Sequence, residues 1–151
     1  MRASLTSAAL AAMIAVGLGA AGADAAPKKM PERGYYDVNR LAPLTDKPGD
    51  PVNGKAVVRK KGLCLSCHAM PIPEEADHGD VAPDLAGVGS RLQPPELRMR
   101  VADPKVIYPD TIMPSFLKKD GLNRVAKKWE GQSILTPQEV EDVVAYLSTL
   151  K

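Results

Sequence analysis

The chain has 151 residues, with 20 Lys and Arg against 18 Asp and Glu and a formal net charge of +2. That length holds one ordinary domain and excludes two comfortable ones, and so small a charge excludes the strong field that nucleic-acid binding needs. Aromatic residues make up 4% of the chain, one Phe, one Trp and four Tyr. This is thin for a core that must offset the ordering entropy of about a hundred residues, and a large, flat, apolar cofactor would fill the gap.

Arg2 is the only early charge, and a small-residue apolar run from Leu5 to Ala21 leads to Ala23-Asp24-Ala25, a small-x-small cleavage pattern. Residues 1–25 therefore read as a secretory signal peptide and mark the protein for export, with the periplasm as the expected destination. A membrane anchor is the competing reading, but a run rich in Ala and broken by Gly17, Gly19 and Gly22 makes a weak span, so no stable membrane span is expected after cleavage. Cleavage removes Arg2 and Asp24 together and leaves the charge at +2.

Residues 26–49 are rich in Pro and charge and read as an extended tail, with Tyr35, Tyr36, Val38 and Leu41 giving it some capacity to lie on a surface. The domain proper is expected over 50–151. Asp50-Pro51 supplies an N-cap and a first-turn proline for a helix running through Val52, Ala56 and Val57 to Lys61-Gly62. Pro71, Pro73, Gly79 and Pro83 then mark a loop. Pro95 to Ala102 reads as a short helix, although Leu97, Met99 and Val101 also alternate at the period of a strand. From Tyr108 to Gln132 there is no clear period, and a loop of that length usually carries function. Thr136-Pro137-Gln138-Glu139 is a capping box that opens an amphipathic helix with Val140, Val143, Val144 and Leu147 on one face. The fold class expected is all-α with long loops.

Only two cysteines exist, in Cys64-Leu65-Ser66-Cys67-His68. An exported pair would ordinarily form a disulfide. Here the spacing puts both thiols on one side of a helical turn, where they can add to the two vinyl groups of a haem edge, and His68 follows where its imidazole can ligate the iron. A zinc site is one ligand short even with His78, and a thioredoxin-like redox pair lacks its βαβ setting. One covalently attached haem c is the expected cofactor.

The sixth iron ligand must come from Met, the second His or Lys. Met1 and Met13 leave with the signal peptide, and Met30 sits in the tail. Met70 is too close to His68 to cross the haem, and Met99 falls among packing residues. Met113, in the loop before Pro114, can reach the distal iron, with His78 as its competitor. Arg91, Tyr108 and Trp129 are candidate donors to the haem propionates. A backbone carbonyl in the turn Ala82-Pro83-Asp84-Leu85 is a candidate acceptor for the His68 Nδ1 proton. Lys118-Lys119 and Lys127-Lys128 offer a docking face for an acidic partner.

The helix leading into Cys64–His68, the run Pro83-Asp84-Leu85-Ala86-Gly87-Val88-Gly89, the Met113-Pro114 pair and the closing Val143-Val144-Ala145-Tyr146-Leu147 resemble class I cytochromes c over about Asp50 to Lys151. More narrowly, Arg91 to Lys105, Asp110 to Phe116, Gly121 to Val125 and Ile134 to Val143 resemble the SoxX family, monohaem subunits of SoxAX complexes in thiosulfate oxidation. The resemblance implies Cys64 and Cys67 as haem thioethers and His68 and Met113 as axial ligands, with no catalytic residue on this chain. It also implies a SoxA-like cytochrome partner, which carries the catalytic cysteine of the L-cysteine S-thiosulfotransferase reaction, a SoxYZ-like carrier reached through that complex, and a downstream small cytochrome or other electron acceptor. A free-standing periplasmic shuttle cytochrome is the alternative, and a haem enzyme with an open iron position is disfavoured by a ligating Met113.

Overall fold

The computed structural model describes residues 41–151. The signal peptide expected over 1–25, and most of the expected tail, lie outside the described residues. Four helices follow in order, α1 (Pro51–Lys60), α2 (Val88–Arg91), α3 (Pro94–Ala102) and α4 (Pro137–Thr149), with short 3-10 turns at Cys64–Ser66, Pro104–Val106 and Lys127–Trp129. Among the described residues there is no strand, so the alternating Leu97, Met99 and Val101 sit on a helix. All three are buried there.

Each long helix is started by its own sequence. The Asp50 carboxylate accepts from the Val52 and Asn53 amides at 2.8 and 3.4 Å, Pro51 occupies the first turn, and Arg59 and Lys60 lie at the negative end of the helix dipole. At α4 the capping box is complete: Glu139 N–H donates to Thr136 Oγ1 at 3.2 Å, and Thr136 N–H donates back to Glu139 Oε2 at 2.7 Å. Such a box contributes about 1 kcal/mol.

α1 packs across α4, and α3 and α2 pack on the same helix. The crossing is made by Gly54. A Cβ there would stand 1.9 Å from the Asp142 carbonyl oxygen, so only glycine lets the two backbones approach. The inner face of α1 is therefore Gly54, Val57 and Val58. Val52, expected in the apolar run, is 79% exposed. On α4, Val140, Val143, Val144 and Leu147 are all buried as the 3.6-residue period requires. Leu65, Ile72, Val88, Leu97, Phe116 and Leu135 belong to the same core.

Residues 41–49 do not hang free. Leu44 is buried, its amide donates to Glu141 Oε1 at 2.8 Å, and the Leu41 carbonyl accepts from Arg98 Nη1 at 2.9 Å. Arg98 and Glu141 are themselves paired through two bonds of 2.6 and 2.8 Å with side chains only 6% exposed. Residues 41–44 are thus tied to α3 and α4 by a buried, fully engaged ion pair.

Candidate haem site

After α1 ends, Leu63 takes a left-handed backbone at φ 50° and turns the chain into the 3-10 turn Cys64–Ser66. In such a turn residues three apart eclipse, which places Cys64 and Cys67 on one side. Cys67 and His68 amides both donate to the Cys64 carbonyl, at 3.1 and 2.9 Å, so the motif is wound on itself. The thiols are free and half-buried, with no disulfide between them. Burial, with a small contribution from Cys67, raises the Cys64 thiol from 9.0 to about 11 against one backbone hydrogen bond that lowers it.

The segment 79–85 lies along the motif and braces it. Gly79 N–H donates to Leu65 O at 2.7 Å, Ala82 N–H to Cys67 O at 2.9 Å and Leu85 N–H to Ala69 O at 2.9 Å. The approach is close enough that a Cβ at residue 79 would stand 2.3 Å from the Ser66 carbonyl oxygen. This brace brings the Pro83 carbonyl to 2.7 Å from His68 Nδ1. A carbonyl can only accept, so Nδ1 carries the proton and Nε2 keeps its lone pair for a metal. The turn presenting Pro83 is held by Arg91, which donates to Ala86 O at 2.6 Å and to Asp84 O at 3.1 Å. Arg91, a candidate for the propionates, is thereby committed to the turn.

Cys64, His68 and Met113 line one cleft with Val58, Met70, Leu85, Val101, Phe116, Leu135, Val143 and Leu147. Cys67 is not part of that lining. Met70 and Met99 are 5% and 1% exposed and act as packing. His78 does not line the cleft either; its Nδ1 accepts from the Met70 amide at 3.3 Å, and its Nε2 is buried without a partner. Between the two candidates for the sixth position, the fold brings Met113 to the cleft.

A second cavity, of about 770 Å³, adjoins the first. Leu63, Pro114, Ser115 and Ile134 line it, each the chain neighbour of a residue lining the cleft. Lys61, Lys105, Lys118 and Arg124 are its cations, and Trp129 stands on its wall with the Lys128 ammonium 5.5 Å from the ring. Tyr108, the remaining propionate candidate, is 57% exposed and lines neither space.

The donor set suits a covalently held haem: two thiols in one short turn, an imidazole with its metal-binding nitrogen free, a thioether, and an otherwise apolar lining. Two features of the site carry little or no signal in sequence. Arg91 reads equally well as a surface cation, and the hydroxyl of Ser115, which donates to Asp103 Oδ1 at 2.5 Å, belongs to no motif.

The cytochrome c family profile matches residues 51–151. Among solved structures, the crystal structure of SoxXA from P. pantotrophus is similar at 36% sequence identity with a TM-score of 0.67, covering 74% of this chain and 88% of that one. No curated protein sequence matches the chain. The chain belongs to the cytochrome c family, with the all-α class I fold and covalently bound haem c, and within that family it is a SoxX-type cytochrome.

Proposed function

We propose that this chain is the monohaem electron-transfer subunit of a periplasmic SoxXA-type complex, exported by a signal peptide over 1–25. Its partner is a SoxA-like cytochrome. In that complex a cysteine thiol of a SoxYZ-like carrier and thiosulfate join through a new sulfur–sulfur bond, with release of a proton and an electron pair. The electrons leave through this chain to a small cytochrome or other acceptor, and the catalytic cysteine resides on the partner.

The observation that carries electron transfer is the cleft shared by Cys64, His68 and Met113. In this reading Cys64 and Cys67 would hold the haem as thioethers, and His68 and Met113 would ligate its iron. The haem, when bound, supplies a one-electron Fe(III)/Fe(II) couple. The protein would supply the rest: the Pro83 carbonyl orients the imidazole and fixes its tautomer, the apolar wall excludes water, and the Met113 thioether would favour the reduced iron and keep external ligands away from it.

A stable partner, rather than a passing one, is supported by the surface around the site. Leu63, Ile112, Trp129 and Ile134 are 59%, 78%, 50% and 37% exposed and stand on the segments that bound the cleft and the adjoining cavity. Three of them, Leu63, Trp129 and Ile134, line the same cavity, and exposed apolar side chains collected in one place mark an interaction surface. Recovery of the tagged protein from thiosulfate-grown cells should yield a second cytochrome in stoichiometric amount. A clean monomer would instead favour the free-standing shuttle. Met113→Ala should lose the weak red absorption of methionine-ligated ferric haem, and an unchanged spectrum would remove Met113 from the ligand set.

A further inference from the structure

We propose that Asp103 and Ser115 form a clamp that holds Met113 in the cleft and so act as positioning residues for the distal side of the site. The inference rests on the reading of Met113 as the axial ligand. Met113 stands in a stretch with no helix, and its own amide is held only by Thr111 Oγ1 at 3.2 Å. The stretch is fastened on one side to the 3-10 turn Pro104–Val106 and on the other to the end of α3. Upstream, Lys105 Nζ donates to the Thr111 carbonyl at 2.5 Å. Downstream, Ser115 Oγ donates to Asp103 Oδ1 at 2.5 Å, and the Leu117 amide donates to the Ala102 carbonyl at 3.0 Å.

The downstream tie is the buried one. Asp103 and Ser115 are 7% and 4% exposed, and no cation pairs with the Asp103 carboxylate among the described residues. Burying a carboxylate without a cation is unfavourable, so its position calls for a compensating role. Local capping does not supply one: Asp103 precedes the 3-10 turn Pro104–Val106 but makes no side-chain cap to it. The carboxylate is turned instead toward the hydroxyl two residues past Met113. Pro114, between them, has a fixed φ, so a restraint on Ser115 passes to Met113 with little slack.

The test uses the haem-loaded full-length protein and reads the affinity of the ferric form for imidazole, which binds only when Met113 is away from the iron. Ser115→Ala and Asp103→Asn should bind imidazole about tenfold more tightly, as expected when loss of a charge-assisted hydrogen bond raises the open population. Ser115→Thr, which keeps the hydroxyl, should behave as the parent. Asp50→Ala weakens the fold elsewhere, at the α1 cap, and should leave imidazole affinity unchanged. If Asp103→Asn does not fold, the two Ser115 variants decide the matter. Unchanged affinity in Ser115→Ala, beside strong binding in Met113→Ala, overturns the clamp. Equal tightening in Asp50→Ala also overturns it, because general loosening then explains the effect. Parent-like behaviour of Met113→Ala overturns the ligand assignment and the clamp with it.

Discussion

Cys64 shows how one side chain is shaped by its surroundings before any cofactor reaches it. Burial lifts its thiol from 9.0 to about 11, so before thioether formation it holds its proton and is unreactive near neutral pH. Alkylation of Cys64 in that form should be slow at about pH 8 and speed up about tenfold per pH unit toward its folded pKa. A rate at that pH equal to the rate in denaturant would show that the thiol is not buried. The linked stability has a definite sign. The folded state binds the proton more tightly, so the contribution is complete below 9.0 and is lost as pH rises toward about 11. At this scale the sequence is most legible where chemistry is local. Cys64, Cys67 and His68 lie within one short span whose spacing dictates their geometry, whereas the Pro83 turn is only a candidate partner in the sequence and is set beside His68 by the loop bonds of residues 79–85. The Arg91 tie to Asp84 and Ala86, the Ser115 bond to Asp103 and the buried Nε2 of His78 depend on loops meeting, and no periodicity or motif announces them.

At the scale of elements, the Gly54 crossing is the most exacting contact. Gly54→Ala would place a methyl group 1.9 Å from the Asp142 carbonyl, forcing α1 off α4 and shifting the turn that carries the cysteines. The expected result is a loss of about 3 kcal/mol or more and a marked drop in haem-loaded protein, read by thermal melting and by haem absorbance per polypeptide. A parent-like melting curve would mean the helices separate at little cost. The same crossing explains an uneven reading of the helices. α4 follows its apolar period because it is covered along its length. α1 does not, because its closest contact is made by a residue with no side chain, and Val52 faces solvent. The α4 cap was legible down to both reciprocal bonds, since a capping box is specified by neighbours in the chain.

For the whole molecule, the Arg98–Glu141 pair fastens the entering segment to the two helices that also wall the cleft. Removing one partner leaves a charge buried and alone, so Glu141→Gln should destabilise the protein by about 3 kcal/mol or more. Replacing both with apolar residues of similar size should cost less, and chemical denaturation of the single and double variants compares them. A single variant as stable as the parent would mean that water reaches the pair. Near the surface the charges are arranged differently: Lys55 pairs with Glu74 at 2.5 Å, and Arg59 pairs with Glu75, on side chains about a third exposed. Ions in solution reach those outer pairs and screen them over about 10 Å at moderate ionic strength, but they do not reach the sealed pair. Concentrated salt should therefore loosen the outer ties between α1 and the loop at residues 74–75 while leaving the fastening of residues 41–44 intact, giving one molecule two ties with opposite tolerance for brine.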